Sequence, residues 1–195
     1  MSKLNVVKYG HPVLRTPAKR VLKVSAKIQK LVFDMMETMY ANNGCGLAAP
    51  QVGESLSIFV LDCSSEAQKY PPMVFINPKI VKSKGACKSH EGCLSFPEVF
   101  VDVKRHAELT IRYQDLKGRQ QEMSVNVKED PLLCRAIQHE MDHLNGILFI
   151  DYVIDYYGTD AILRQKGLPP IEKAKLQDTT ALDALLDFNT AEAIK

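Results

Sequence analysis

Long apolar runs are missing from this chain. Met1-Ser2-Lys3-Leu4 leads into none, so we expect no signal peptide and no membrane span. Paired cysteines are missing too. Cys45, Cys63, Cys87, Cys93 and Cys134 are odd in number and contain no C-x-x-C spacing. That argues against a disulfide framework and for a reducing cytosol. Charge of one sign is scarce: 25 basic residues stand against 23 acidic ones, a net +2, too little to argue for direct nucleic-acid binding. No internal repeat or low-complexity segment appears. What remains is an ordinary globular composition, with 195 residues, 46% hydrophobic and 25% charged, enough for one domain and a tail.

Two helices stand out. Ser25 is followed by Ile28, Leu31, Val32, Met35, Met36 and Met39 at helical spacing. Ser25 can cap the start, and Asn42-Asn43-Gly44 can end it. We read the methionine stripe as a core-facing surface rather than a ligand site. The second helix opens at Asp130-Pro131, an N-cap followed by a residue suited to the first turn. Leu132, Leu133, Ala136, Ile137, Met141 and Leu144 form its apolar stripe, and Asn145-Gly146 its stop. Between them lie short strand-like runs, from Ser57 to Leu61 and from Met73 to Ile76. Residues 99–105 alternate weakly. Leu109 to Tyr113 and Met123 to Val127 read as a hairpin around the turn Asp115-Leu116-Lys117-Gly118. Past Tyr157, Gly167-Leu168-Pro169-Pro170 reads as a linker and Thr180 to Phe188 as a last short helix. From Asp178 onward four acids face a single lysine.

The second helix carries His139-Glu140-Met141-Asp142-His143, an H-E-x-x-H sequence. Residues four apart share a helix face, so two imidazoles can clasp one metal ion, with a carboxylate beside its open side. A catalytic metal usually takes a third protein ligand. The extended form with a third histidine is absent, because Phe149 stands at that place. His11, His90, His106, the acids and the cysteines are the candidates. Cys93 is the most attractive, in Glu91-Gly92-Cys93-Leu94-Ser95-Phe96-Pro97 between two strand regions. Cys87 with His90 is a weaker rival. Gly44 to Ala49 also fits G-x-G-x-x-A, but it follows a helix, and too few residues follow for a crossover helix.

Three separated segments resemble the signature motifs of the peptide deformylase family. They are Gly44-Cys45-Gly46-Leu47-Ala48-Ala49-Pro50-Gln51, then Glu91-Gly92-Cys93-Leu94-Ser95, then Gln138 to His143. Order and approximate spacing match, and the likeness runs from about Val7 to Tyr152. It implies an α+β fold, with antiparallel sheets around a central helix that carries the H-E-x-x-H motif. It places a catalytic domain at residues 1–157 and a C-terminal extension at 158–195.

The resemblance also implies a chemistry. Cys93, His139 and His143 would bind one divalent metal, natively Fe(II), with Zn(II), Ni(II) or Co(II) able to substitute. Glu140 would move the proton. The substrate would be a newly made N-formylmethionyl polypeptide, and the products formate and a free amine. Gln51 and the Leu94 backbone N–H would stabilise the developing oxyanion. Gly46 would bond the peptide backbone, while Cys45 and Ala136 line the methionine pocket. Arg105 and Glu91 would support the site. Relatives with this motif often carry an acid before Gly44 that could pair with Arg105; here it is Asn43, which leaves that pair in doubt. We read Asp142 as a polar helix residue or a partner that orients a histidine. Cys45 replaces the usual aliphatic residue between the motif glycines, and we expect it to be open to oxidation. Some bacterial relatives dock on ribosomal RNA through a basic C-terminal helix. The acidic tail here does not support such a ribosome contact.

Overall fold

Ile58-Phe59-Val60-Leu61 is an unbroken apolar run, and it forms a strand with all four side chains buried. Such a strand must be covered on both faces. In the computed structural model, which describes residues 3–64 and 70–183, two helices do the covering. Helix α1 (Ala26–Ala41) starts on the Ser25 cap and ends at Asn42. Helix α2 (Pro131–Leu144) starts on Asp130, whose carboxylate accepts from Leu133 N–H. The strands are β1 (Gly46–Ala48), β2 (Ile58–Leu61), β3 (Met73–Lys84), β4 (Cys87–Cys93), β5 (Phe96–Arg105), β6 (Glu108–Gln114) and β7 (Gln120–Asn126). They make an antiparallel five-stranded sheet, β1-β2-β3-β6-β7, and a separate β4-β5 hairpin.

Alternation along β2 sorts the core. Ile58 and Val60 face α1, meeting Val32, Met35 and Met39. Phe59 and Leu61 face α2, meeting Leu133, Ala136 and Ile137. The methionine stripe is therefore core. A third cluster joins Phe96, Val99, Val101 and Val103 of β5 to Tyr9, Phe149, Leu163 and Ile171. Ten of the fourteen residues of α2 are buried, so its polar side chains sit away from water, where an unpaired group is costly. The fold is α+β, with antiparallel sheets around that helix. No helix among the described residues is long and apolar enough to cross a membrane.

Several elements differ from the sequence reading, among them the three-residue β1, too short to show an alternation. The strand read at Met73 to Ile76 runs on to Lys84, past Asn77, which sits at φ 50° and bonds both the N–H and the carbonyl of Val21. Strand β4 was invisible because its buried positions, Ser89 and Glu91, are polar. Cys93 therefore ends a strand rather than lying between two. Helix α3 (Tyr156–Gln165) precedes the Gly167 linker; it buries only Thr159 and Leu163, too short a stripe to read. Thr180 begins a helical turn that reaches Asp183, and the rest of the helix expected to Phe188 lies outside the described residues.

Gly146 ends α2 at φ 69°, and a Cβ there would sit 2.7 Å from the Arg15 carbonyl oxygen. We expect Gly146→Ala to lose about 1–3 kcal/mol of stability in a urea melt, the usual scale for forced backbone strain. An unchanged midpoint would refute that role.

Candidate active site

The histidines at i and i+4 on α2 point the same way, toward the end of β4. One ligand atom each from Cys93, His139 and His143 lies within 4.8 Å of the other two. Cys93 Sγ is 3.3 Å from His143 Nε2. The ring centroids of His139 and His143 are 5.1 Å apart. Phe149, where a third histidine would stand, puts its ring centroid 5.5 Å from that of His139. The rivals are placed elsewhere. His90 Nδ1 pairs with Asp102 at 2.7 Å on an exposed edge, and the Cys87 thiol reaches the His106 carbonyl. His11 Nδ1 accepts from Val13 N–H, and His106 Nδ1 faces the Gly85 carbonyl.

Behind the histidines lies a buried ionic frame. Arg105 donates to Glu91 from Nε at 2.9 Å and Nη2 at 2.8 Å, and to Asp142 from Nη1 at 2.5 Å. Ser89 Oγ donates to Glu91 Oε1 at 2.8 Å. The other Glu91 oxygen lies 2.9 Å from His139 Nδ1, which leaves Nε2 for the cluster. Burial would raise the Glu91 carboxyl, but the Arg105 guanidinium outweighs it and holds it well below the usual carboxylate range. Arg105 thus finds its acids in Glu91 and Asp142, and Asn43 is not needed.

The cleft in front measures about 510 Å³ and is lined by Gly44, Cys45, Gly46, Gln51, Glu91, Cys93, Leu94, Ala136, His139 and Glu140. His143 and Arg105 lie behind it, 1% and 3% exposed. Gln51 is fixed at both ends of its amide. Its Oε1 accepts from Ala48 N–H at 2.8 Å, and its Nε2 faces Cys93 Sγ at 3.3 Å. Glu140 is 4% exposed, and its Oε2 has no hydrogen-bond partner. Burial pushes its carboxyl up to about 8. A Cβ on Gly46 would strike Glu140 Oε1 and come within 2.8 Å of Leu61 Cδ2, so any larger residue would have to displace the carboxylate. Gly46 also opens β1, the edge strand of the sheet, with backbone facing the cleft. The neighbouring Cys63 thiol pulls the Cys45 thiol down, against burial, while Cys63 is pushed up.

Sequence reasoning missed Leu132, Arg135 and Phe100, which also line the cleft. Leu132 and Arg135 precede His139 by seven and four residues, so helical spacing could have found them. Phe100 is paired with Gly92 across the hairpin, and its ring fills the space a Gly92 Cβ would need.

Fold and site together define a hydrolase of the H-E-x-x-H type. Residues 3–157 match the family model described as polypeptide deformylase, and the chain belongs to that family. The activity of this family is removal of the N-formyl group from new polypeptides. One relative is peptide deformylase 1 of a Nostoc species, 48% identical over 145 residues, or 74% of this chain and 75% of that one. Among solved structures, the peptide deformylase of Synechococcus elongatus in complex with actinonin is 41% identical with a TM-score of 0.79, covering 86% of this chain and 92% of that one. A class I type b peptide deformylase from Acinetobacter baumannii, bound to Met-Ala-Ser, is 31% identical with a TM-score of 0.72, covering 78% of this chain and 99% of that one.

Removing Arg105 strands two buried carboxylates. Arg105→Met should cost about 3–5 kcal/mol in denaturant unfolding, as removal of one member of a buried ion pair does. A loss under about 1 kcal/mol, the scale of an exposed pair, would show that the frame does not hold the fold.

Proposed function

We propose that this chain is a metal-dependent deformylase in which Cys93, His139 and His143 hold one divalent ion and Glu140 moves the proton. The observation that carries the reading is the convergence of one thiol and two imidazoles beside a buried carboxylate with an unpartnered oxygen. The donor set fits a metal. Ideal metal–sulfur and metal–nitrogen bonds of about 2.3 and 2.0 Å place such donors roughly 3.5 Å apart. His139 is held by Glu91 in the tautomer that frees Nε2. The family's usual Fe(II) suits these ligands, and Zn(II), Ni(II) or Co(II) can take its place. Held there, the ion supplies Lewis acidity, polarising a carbonyl oxygen and lowering the pKa of water.

The remaining work falls to the chain itself. Glu140 accepts a proton from the attacking water and delivers it to the leaving amine, for which a carboxyl tuned toward neutrality is suited. Gln51 Nε2 and the Leu94 backbone N–H donate to the formyl oxygen as it gains charge. The C–N bond of the formamide breaks, releasing formate and a free amino terminus. Gly46 lets the substrate backbone lie along β1 as an added strand. Cys45 and Ala136 form the wall against the methionine side chain, and Glu91 and Arg105 position His139. The methionine at the head of Met-Ala-Ser, bound to the Acinetobacter baumannii relative, supports a nascent formylmethionyl chain as substrate. We take residues 1–157 as the catalytic domain, 158–195 as an extension, and the bacterial cytosol as its setting.

Three outcomes are expected when formate release from a formyl-methionyl peptide is measured. Glu140→Gln keeps its metal and loses roughly 10²–10⁴ in rate, the usual share of a positioned acid–base group. Gln51→Leu loses about 10²–10³. Chelation abolishes turnover and re-addition of Fe(II) or Ni(II) restores it. Normal turnover by Glu140→Gln would remove the proposed base, and full activity without metal would overturn the cofactor.

A further inference from the structure

Cys45 and Cys63 lie where β1 and β2 part. The Asp62 N–H donates to the Cys45 carbonyl at 2.9 Å, extending the ladder one rung beyond Gly46 and Leu61. Past that rung the chain leaves the sheet. The Asp62 carboxylate turns outward to the Tyr40 hydroxyl at 2.6 Å, and Cys63 turns inward, joining Phe59, Cys134 and Ala136. Cys63 directly follows the residue that bonds Cys45 across the end of the ladder, so the two cysteines are neighbours there, and neither is in a disulfide. Cys45 opens into the cleft, while Cys63 is 4% exposed. One reachable thiol backed by a buried one is the arrangement of an attacked and a resolving cysteine. The other thiols are placed differently. Cys93 belongs to the donor cluster. Cys87 and Cys134 both reach the His106 carbonyl, at 3.8 and 3.9 Å, away from the cleft.

The geometry points to a modification site: Cys45 and Cys63 form a reversible dithiol–disulfide pair that a small peroxide reaches through the cleft. The inference rests on the cleft and not on the metal or the deformylation reaction. The Cys45 sulfur attacks one peroxide oxygen. The O–O bond breaks, leaving a sulfenic acid and one water. The Cys63 sulfur then attacks the sulfenic sulfur, the S–S bond forms, and the S–O bond breaks. The hydroxyl leaves with the Cys63 proton as a second water. The two thiols lose two electrons, and the peroxide gains them.

The test is peptide mapping of the full metal-loaded chain after brief hydrogen peroxide treatment and alkylation without reductant. Trypsin with a glutamate-specific protease separates the two cysteines by cutting at Glu54. The expected product is a cross-linked pair joining Cys45 to Cys63, lighter by two hydrogens than its parts and lost on reduction, with Cys87, Cys93 and Cys134 still alkylated. In Cys63→Ser the Cys45 sulfenic acid should persist and take up dimedone. A link between other cysteines would overturn the proposal. So would Cys45 passing to sulfinic acid in the unaltered chain while Cys63 stays alkylatable. Because the readout is mass, a failed deformylase assay would leave this result standing, and a missing cross-link would leave the deformylase reading standing.

Discussion

The fork of Arg105 is the interaction on which the rest depends. It spans β5, where it is rooted, β4 through Glu91, and α2 through Asp142. Those three elements carry every member of the donor cluster or its immediate support. The guanidinium is planar and presents its donors in a fixed geometry, so it sets angles as well as distances. It also lies 5.1 Å under the Tyr152 ring, which closes the frame from the far side. Through Glu91 the fork fixes the His139 tautomer. A buried ion pair is a poor source of net stability, because desolvation offsets much of the attraction. Its value here is register: a helix and a hairpin that share few apolar contacts are held at one mutual orientation.

Much of this was legible in the sequence, and the rest was hidden for identifiable reasons. Helices α1 and α2 announced themselves through caps and apolar stripes, because each buries a face against a sheet. The β6-β7 hairpin was marked by its turn, in which Gly118 N–H donates to the Asp115 carbonyl. Strand β4 gave no such sign, since Ser89 and Glu91 are buried for the ionic frame and not for a hydrophobic core. A buried polar side chain breaks the period-two signal wherever function needs it. The cluster was legible only in part. The H-E-x-x-H spacing identified two donors on one helix face, but Cys93 is 46 residues from His139, and spacing alone left several rivals. The resemblance selected Cys93, and the fold brought it to the histidines. The acid partners of Arg105 lie 14 and 37 residues away in sequence, beyond any local pattern.

The cleft itself combines two environments. Glu140 sits where water is excluded, which raises its proton affinity, while a few ångströms away the edge of β1 offers bare backbone. Gly46 is what allows both. A side chain at that position would displace the carboxylate or cover the strand edge, so a buried carboxylate and open backbone meet at one missing Cβ. Gln51 contributes in the same economical way: one end of its amide locks the Ala48 loop and the other is left pointing at Cys93.

The N-terminal segment runs across both active-site loops. Val7 N–H donates to the Gln51 carbonyl, Tyr9 N–H to the Ser95 carbonyl, and Lys8 Nζ to the Leu94 carbonyl over a separation of 86 residues. Contacts of that span close large loops and form late. The N-terminal segment thus ties the Gln51 loop to the loop that follows Cys93. Cys93 and the two histidines come from elements far apart in sequence, which must close on one another before the cluster exists. In this architecture the donor cluster is a product of long-range folding, present only where the N-terminal segment, the hairpin and the second helix have all come together.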